Sequence, residues 1–350
     1  MSGRAEEVRL ADLGVLEEIA DGGQGKVYRI PARPGELLKR YHPHVCDQLN
    51  PGALRRIIAR PAAMTAADRR LVTESTAWPT ALVTDGGRYV GFLMRQAPER
   101  FSATIGRSGK LLELQFLLHP LKPMWRALVL PSPAERRELA KCYVRFFQVL
   151  HRYDVIVGDV SMKNFLWTLR DGPAIFALDC DGFRLNGHHP AVPQPQTPDW
   201  EDRTAVQGRA TLESDRYKLA LLVIRVLLAD PYLTPPDVMK RPELAGQLGE
   251  ALTGLVRRAA ADRVRPTAEH WLRALDGRPT VVLSSPGGEP RSGQSPGRAG
   301  PARPTVPLGR TGTRRRSAPP PPVRPDPGPD PAERPIIPLR PRTEPGAAGD

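Results

Sequence analysis

Val157-Gly158-Asp159-Val160-Ser161-Met162-Lys163-Asn164-Phe165-Leu166 is the stretch from which the rest of the chain can be read. Apolar, strand-like residues open onto a loop that carries an Asp and, five residues on, an Asn. That spacing lets a carboxylate meet an acceptor hydroxyl while an amide oxygen holds a metal ion. Residues 164–169 and 174–178 follow as two short strands joined by the turn Arg170-Asp171-Gly172-Pro173. At the end of the second strand stands Leu178-Asp179-Cys180-Asp181-Gly182. A hairpin of this length sets a carboxylate opposite Asn164, and Mg²⁺ takes a few such oxygens beside phosphate and water. Asp179 and Asp181 are the candidate carboxylates for that site, and two so close can hold a second ion.

Upstream, Ala20-Asp21-Gly22-Gly23-Gln24-Gly25-Lys26-Val27 ends one strand and opens the next. Gly22, Gly23 and Gly25 let backbone N–H groups approach phosphate oxygens, and Val27 can roof a purine. Twelve residues on, Lys39 interrupts the apolar run of a strand, where a long-stemmed point charge suits the α and β phosphates. Strand-like runs at 13–19, 26–30, 37–41 and 88–94, the last after the hairpin signal Asp85-Gly86-Gly87, alternate with Gly or Pro-Gly turns. Segments 51–59 and 66–75 have helical composition.

After Pro98 long helices take over. Ser132-Pro133 reads as a cap with proline in the first turn, and Leu139, Cys142, Tyr143, Phe146 and Leu150 recur at helical spacing. Residues 217–228 are apolar almost all round, broken by Lys218 and Arg225, as in a helix buried within a lobe. A last helix starts near Pro266 and ends before Gly277. The expected class is α+β: an antiparallel sheet with a helix, then a mainly helical part.

Composition bounds the remainder. Nineteen of the 40 prolines fall between Pro279 and Pro345, beside Gly, Ser and Arg, so residues 277–350 are expected to form a disordered tail. The net charge of +13 divides into +6 on residues 278–350 and +7 on the rest. Neither part concentrates Lys and Arg in a stripe with interleaved aromatics, which argues against a dedicated nucleic-acid binder. Cys46, Cys142 and Cys180 are odd in number, far apart and at no metal-ligand spacing, so a reduced, cytoplasmic setting is expected. No stretch approaches a membrane span.

In order, spacing and flanking elements these motifs resemble the eukaryotic-like protein kinases over residues 13–275. The resemblance implies a bilobal kinase-like fold: an extension at 1–12, an N-lobe at 13–97 and a C-lobe at 98–276. It implies ATP and Mg²⁺ as cofactors and transfer to a protein hydroxyl, Ser or Thr favoured. In this likeness Lys39 is the strand-three lysine, Asp159 the catalytic base, Asn164 the metal-binding asparagine and Asp179 the Asp of DFG. Glu74, with Asp68 behind it, is the candidate helix carboxylate for Lys39. Met94-Arg95-Gln96-Ala97 is the hinge, with Met94 or Leu93 behind the base and Gln96 offering backbone groups to it. Thr197-Pro198-Asp199 is similar to the APE motif, Arg265 to the arginine that pairs with its acid, and Asp215 to the residue that holds the catalytic loop from below.

The chain departs from the pattern where Ala20 replaces a glycine, where Gly158 replaces the arginine before the base, and where Asp181 replaces the DFG glycine. Ser161 replaces the usual lysine two residues after the base, so Lys163 is expected to supply that charge. Asp179-Cys180-Asp181-Gly182-Phe183 and Ala77-Trp78-Pro79 are similar to a divergent bacterial kinase group with a DxD motif. By that likeness, PP2C-type phosphatases and von Willebrand A proteins are candidate partners beside the protein substrate. A nucleotide-binding pseudokinase or scaffold, and a small-molecule kinase of related fold, are the alternatives.

Overall fold

The computed structural model describes residues 6–193, 197–202, 210–261 and 264–278, all within a unit that ends at Ser285. The expected tail lies, from residue 279 on, outside the described residues, as do residues 1–5 of the expected extension. The class is α+β, with a β-sheet N-terminal region and a helical C-terminal region.

The N-terminal region runs β1 (Glu6–Arg9), β2 (Glu17–Asp21), β3 (Gly25–Arg29), β4 (Glu36–Tyr41), α1 (Pro43–Cys46), α2 (Pro51–Ala59), α3 (Ala66–Glu74), β5 (Pro79–Asp85) and β6 (Arg88–Arg95). Its six strands lie in the order β1-β5-β6-β4-β3-β2. All neighbours are antiparallel except β1, which pairs parallel with β5. The stretch read as an extension thus adds a sixth strand. Its alternation is hard to see because Val8 is its only buried residue. The strand expected at 13–19 begins at Glu17, after a 3-10 turn that buries Leu13.

Period-two alternation gives the sheet two apolar faces. Leu38, Leu93, Val83 and Ala81 pack outward with Val8, Leu13 and Ile30. Leu37, Tyr41, Phe92 and Met94 pack inward against Leu166 and Phe176 of the C-terminal region, with Val27 and Ala97 at the margin.

The C-terminal region holds β7 (Ser102–Ile105), β8 (Ser108–Leu111), α4 (Gln115–Leu118), α5 (Pro133–Arg152), β9 (Val155–Ile156), β10 (Phe165–Thr168), β11 (Ala174–Ala177) and β12 (Arg184–Leu185). It closes with α6 (Leu212–Leu228), α7 (Pro235–Lys240), α8 (Pro242–Leu248), α9 (Glu250–Ala261) and α10 (Ala268–Leu275). Helix α5 opens as the cap signal requires: Ser132 Oγ accepts from the N–H of Glu135, whose carboxylate accepts from the N–H of Ser132. Its apolar stripe, Leu139, Tyr143, Phe146 and Leu150, is buried against α6 and α10 in the main core.

Helix α6 is buried on nearly every side, and so are Lys218 and Arg225, the two charged residues within its apolar run 217–228. Arg225 donates to the carbonyls of Leu233 (3.0 Å) and Asp199 (2.7 Å) and lies over the Trp200 ring. The β7–β8 hairpin and helices α7 to α9 were not anticipated from sequence; the three helices pack on one another and on α6, so their order comes from tertiary contact.

Candidate functional site

Strand β4 carries Lys39 into the interior. Val27 of β3 and Phe92 of β6 stand directly opposite it in register, so all three share the inward face. Lys39 is only 4% exposed. Its Nζ donates to Asp179 Oδ1 at 3.1 Å and to both oxygens of Asp181, at 3.0 and 3.1 Å. Burial alone would lower its pKa, but the charges of Asp181 and Asp179 raise it above the ordinary lysine value, so it stays protonated.

The two aspartates differ in kind. The side chain of Asp179 is 52% exposed and its backbone is left-handed, at φ 51°. That turn is how β11 hands over to a short 3-10 segment, Cys180–Gly182. Asp181 is fully buried, and its Oδ2 also accepts from the Tyr41 hydroxyl at 2.9 Å. Burial, then the Asp181 charge, pushes the Tyr41 phenol well above its usual value, which keeps it a donor. An exposed ion pair contributes about 0–1 kcal/mol, whereas stripping a buried one of a partner costs about 3–5 kcal/mol. The Lys39–Asp181 contact therefore dominates.

The Asp159 loop is held from below by α6. Asp215, fully buried, accepts from the N–H groups of Val157 (2.7 Å) and Gly158 (2.9 Å), and His151 Nε2 lies 3.2 Å from it. Lys218 donates to the Gly158 carbonyl at 2.5 Å; burial pulls its pKa down, against the opposing charges of Asp215 and Asp159. Within the loop, Ser161 Oγ accepts from the N–H groups of Lys163 and Asn164. The Asn164 carbonyl accepts from Leu178 N–H at 2.8 Å, so the β10–β11 hairpin joins Asn164 to the strand end before Asp179. Asn164 Nδ2 donates to Asp159 Oδ2 at 3.1 Å, and Thr197 Oγ1 donates to Asp159 Oδ1 at 2.7 Å.

These pieces enclose one cavity of about 360 Å³, lined by residues 20–25, Val27, Lys39, Asp159, Asn164, Asp179 and Gly182. Gly22 and Gly23 leave room for a ligand, since a Cβ at Gly23 would meet nothing and one at Gly22 only the Gly25 carbonyl at 3.6 Å. Gly25 has a different reason. A Cβ there would stand 2.3 Å from the Arg40 carbonyl, so it is the close approach of β4 that demands glycine.

Several expected placements are corrected. Glu74 sits exposed on α3, paired with Arg70 (2.9 Å), and Asp68 binds Arg152 at the end of α5 and the hydroxyl of Tyr153 just after it. Neither meets Lys39, because α3 turns Val72 to the core and docks Asp68 on the end of α5. Asp181 has both oxygens engaged by Lys39 and Tyr41 and is not among the cavity-lining residues, so it is not placed as a metal ligand. Lys163 is exposed and likewise does not line the cavity; its charge acts on Glu113. Met94 is buried on the inward face, whereas Leu93 faces the outer cluster. The Gln96 N–H is already donated to the Gly35 carbonyl, at 2.8 Å.

Arg265 pairs not with Asp199 but with Asp202, three residues later, and both are buried. Asp202 and Tyr41 are the residues sequence reasoning missed. Tyr41 had a usable signal, since it stands two positions after Lys39 and must share its face of the strand. Among the described residues, no cluster of three or more His, Cys, Asp or Glu is suited to a metal, and no helix is long and apolar enough to cross a membrane. No protein-family model matches the chain, and no curated protein matches it either.

Proposed function

We propose that this chain is a MgATP-dependent protein kinase of bilobal kinase-like fold, with the β-sheet region as N-lobe and the helical region as C-lobe. It transfers the γ-phosphoryl group to a protein hydroxyl, Ser or Thr favoured, as the divergent bacterial kinase likeness implies. One observation carries the reading: Lys39, Asp159, Asn164 and Asp179, up to 140 residues apart, line one cavity under a glycine-rich turn.

The donor set fits the cofactor. Lys39 is a buried, protonated point charge suited to α and β phosphates. Val27, Leu37, Met94, Ala97 and Leu166 belong to one apolar cluster on the same inward side, suited to a purine. The half-exposed Asp179 carboxylate and the Asn164 amide oxygen, whose nitrogen is turned to Asp159, would hold Mg²⁺. When bound, Mg²⁺ supplies neutralisation of the phosphate charge. Asp159 then orients the acceptor hydroxyl and takes its proton, and Lys39 holds the nucleotide in line. Catalysis of this kind is mostly positioning and charge neutralisation.

A nucleotide-binding scaffold is the second reading. It is favoured by the state of Asp159, whose two carboxylate oxygens already accept from Thr197 and Asn164. Radiolabelled γ-phosphate separates the two. Wild type should label a generic protein acceptor, Asp159→Asn should lose about a hundredfold or more of that rate while still binding MgATP, and Lys39→Met should lose transfer and bind MgATP more weakly but measurably. Retained transfer by Asp159→Asn removes the base assignment; MgATP binding without transfer by wild type under any divalent metal favours the scaffold.

A further inference from the structure

Lys39 needs a buried counter-charge, and α3 does not provide one. We propose that Asp181 is the positioning residue for Lys39, so that the lysine is aligned by the loop after β11 and not by α3. The inference rests on the kinase reading and deepens it.

Three independent observations carry it. Asp181 is fully buried, and both its oxygens are taken by β4: Lys39 on Oδ1 and Oδ2, and Tyr41 on Oδ2. Lys39 and Tyr41 are i and i+2 on one strand, so they project to the same side and grip a single carboxylate as a two-pronged fork. Asp179, the other carboxylate on the lysine, is half exposed and lines the cavity, which leaves it available to a ligand.

Helix α3 is committed elsewhere. Besides the Asp68 contacts with Arg152 and Tyr153, the Tyr153 hydroxyl accepts from Thr65 N–H. At the other end Arg95 donates to the Thr73 carbonyl at 3.0 Å. The ion pair Glu74–Arg70 lies wholly on the outer surface of the helix. Alignment of the lysine is therefore tied to the same short segment that presents Asp179, and the nucleotide-facing cation and the metal-facing carboxylate are set by one loop, Asp179-Cys180-Asp181.

The test is MgATP affinity by calorimetry, with steady-state kinetics for those variants that turn over. Asp181→Asn is expected to weaken binding by about tenfold or more, to raise the KM for ATP more than it lowers kcat, and to leave Glu74→Gln, measured beside it, indistinguishable from wild type. In a Lys39→Met background, Asp181→Asn should have no further effect on affinity, an outcome that a general loss of fold would not give. Tyr41→Phe, which keeps the ring, should weaken binding by about threefold and decides the matter if Asp181→Asn does not fold. Unchanged affinity in folded Asp181→Asn, an equal loss in Glu74→Gln, additivity with Lys39→Met, or an unaffected Tyr41→Phe overturns the inference and leaves the kinase reading standing. A wild type that binds no MgATP overturns both.

Discussion

Gly158 stands at φ 76°, in the left-handed region, immediately before Asp159. Its N–H is held by Asp215 and its carbonyl by Lys218, so the backbone cannot relax to another basin without losing two contacts to α6. A side chain there is strained by about 1–2 kcal/mol. The glycine that stands where the kinase likeness led us to expect an arginine is thus a conformational requirement, and the buried cation under the loop comes instead from Lys218. Gly158→Ala is expected to lower unfolding free energy by about 1–2 kcal/mol in urea titration and, on the proposed kinase reading, to slow transfer by displacing Asp159. Unchanged stability would mean that the turn takes a side chain freely.

Helix α5 shows how much of an element is local. Proline at the first turn, Ser132 as cap and Glu135 three residues on satisfy its first N–H groups before any tertiary contact forms. Ser132→Ala should cost about 1 kcal/mol near neutral pH. The hydrogen bonds from Ser132 hold the Glu135 carboxyl below its ordinary pKa. A lowered folded-state value means stability that is present above the ordinary carboxylate range and is lost as pH falls through the folded value. The gap between wild type and Ser132→Ala in denaturant melts should therefore narrow in acid. A gap independent of pH would exclude the reciprocal box.

At the scale of the whole described unit, the helical region is pinned to the segment that carries Thr197 by Arg265. That residue binds Asp202 through two nitrogens, donates to the Glu213 carbonyl (3.0 Å) and receives the Glu213 carboxylate on its own N–H (2.8 Å). Removing one member of a buried pair leaves an uncompensated charge, so Asp202→Asn should destabilise by about 3–5 kcal/mol in chemical denaturation. Asp199→Asn, whose carboxylate was the expected partner, should change stability by less than about 0.5 kcal/mol. Equal losses from the two would reverse the assignment of Arg265 to Asp202.

Much of the fold and half of the site were legible along the chain. Strand-like runs between Gly or Pro-Gly turns announced β3, β4 and β6, helical spacing announced α5, an almost wholly apolar run announced α6, and the turn Arg170-Asp171-Gly172-Pro173 announced the β10–β11 hairpin, where Asp171 and Gly172 take positive φ. That hairpin was enough to bring Asn164 beside Asp179, and the charge within an apolar strand was enough to single out Lys39. These are short-range consequences of backbone periodicity and turn stereochemistry, which a few neighbouring residues determine. The pairing of charges was decided only in three dimensions. Glu74, Asp68, Asp179 and Asp181 are all carboxylates at plausible distances along the chain, yet which of them faces Lys39 depends on how α3 docks on α5 and how tightly the loop after β11 turns. A buried cation takes whichever acid the packing brings to about 3 Å, and neither Asp181 beside the Lys39 ammonium nor Asp202 beside the Arg265 guanidinium carries a local mark of being that acid.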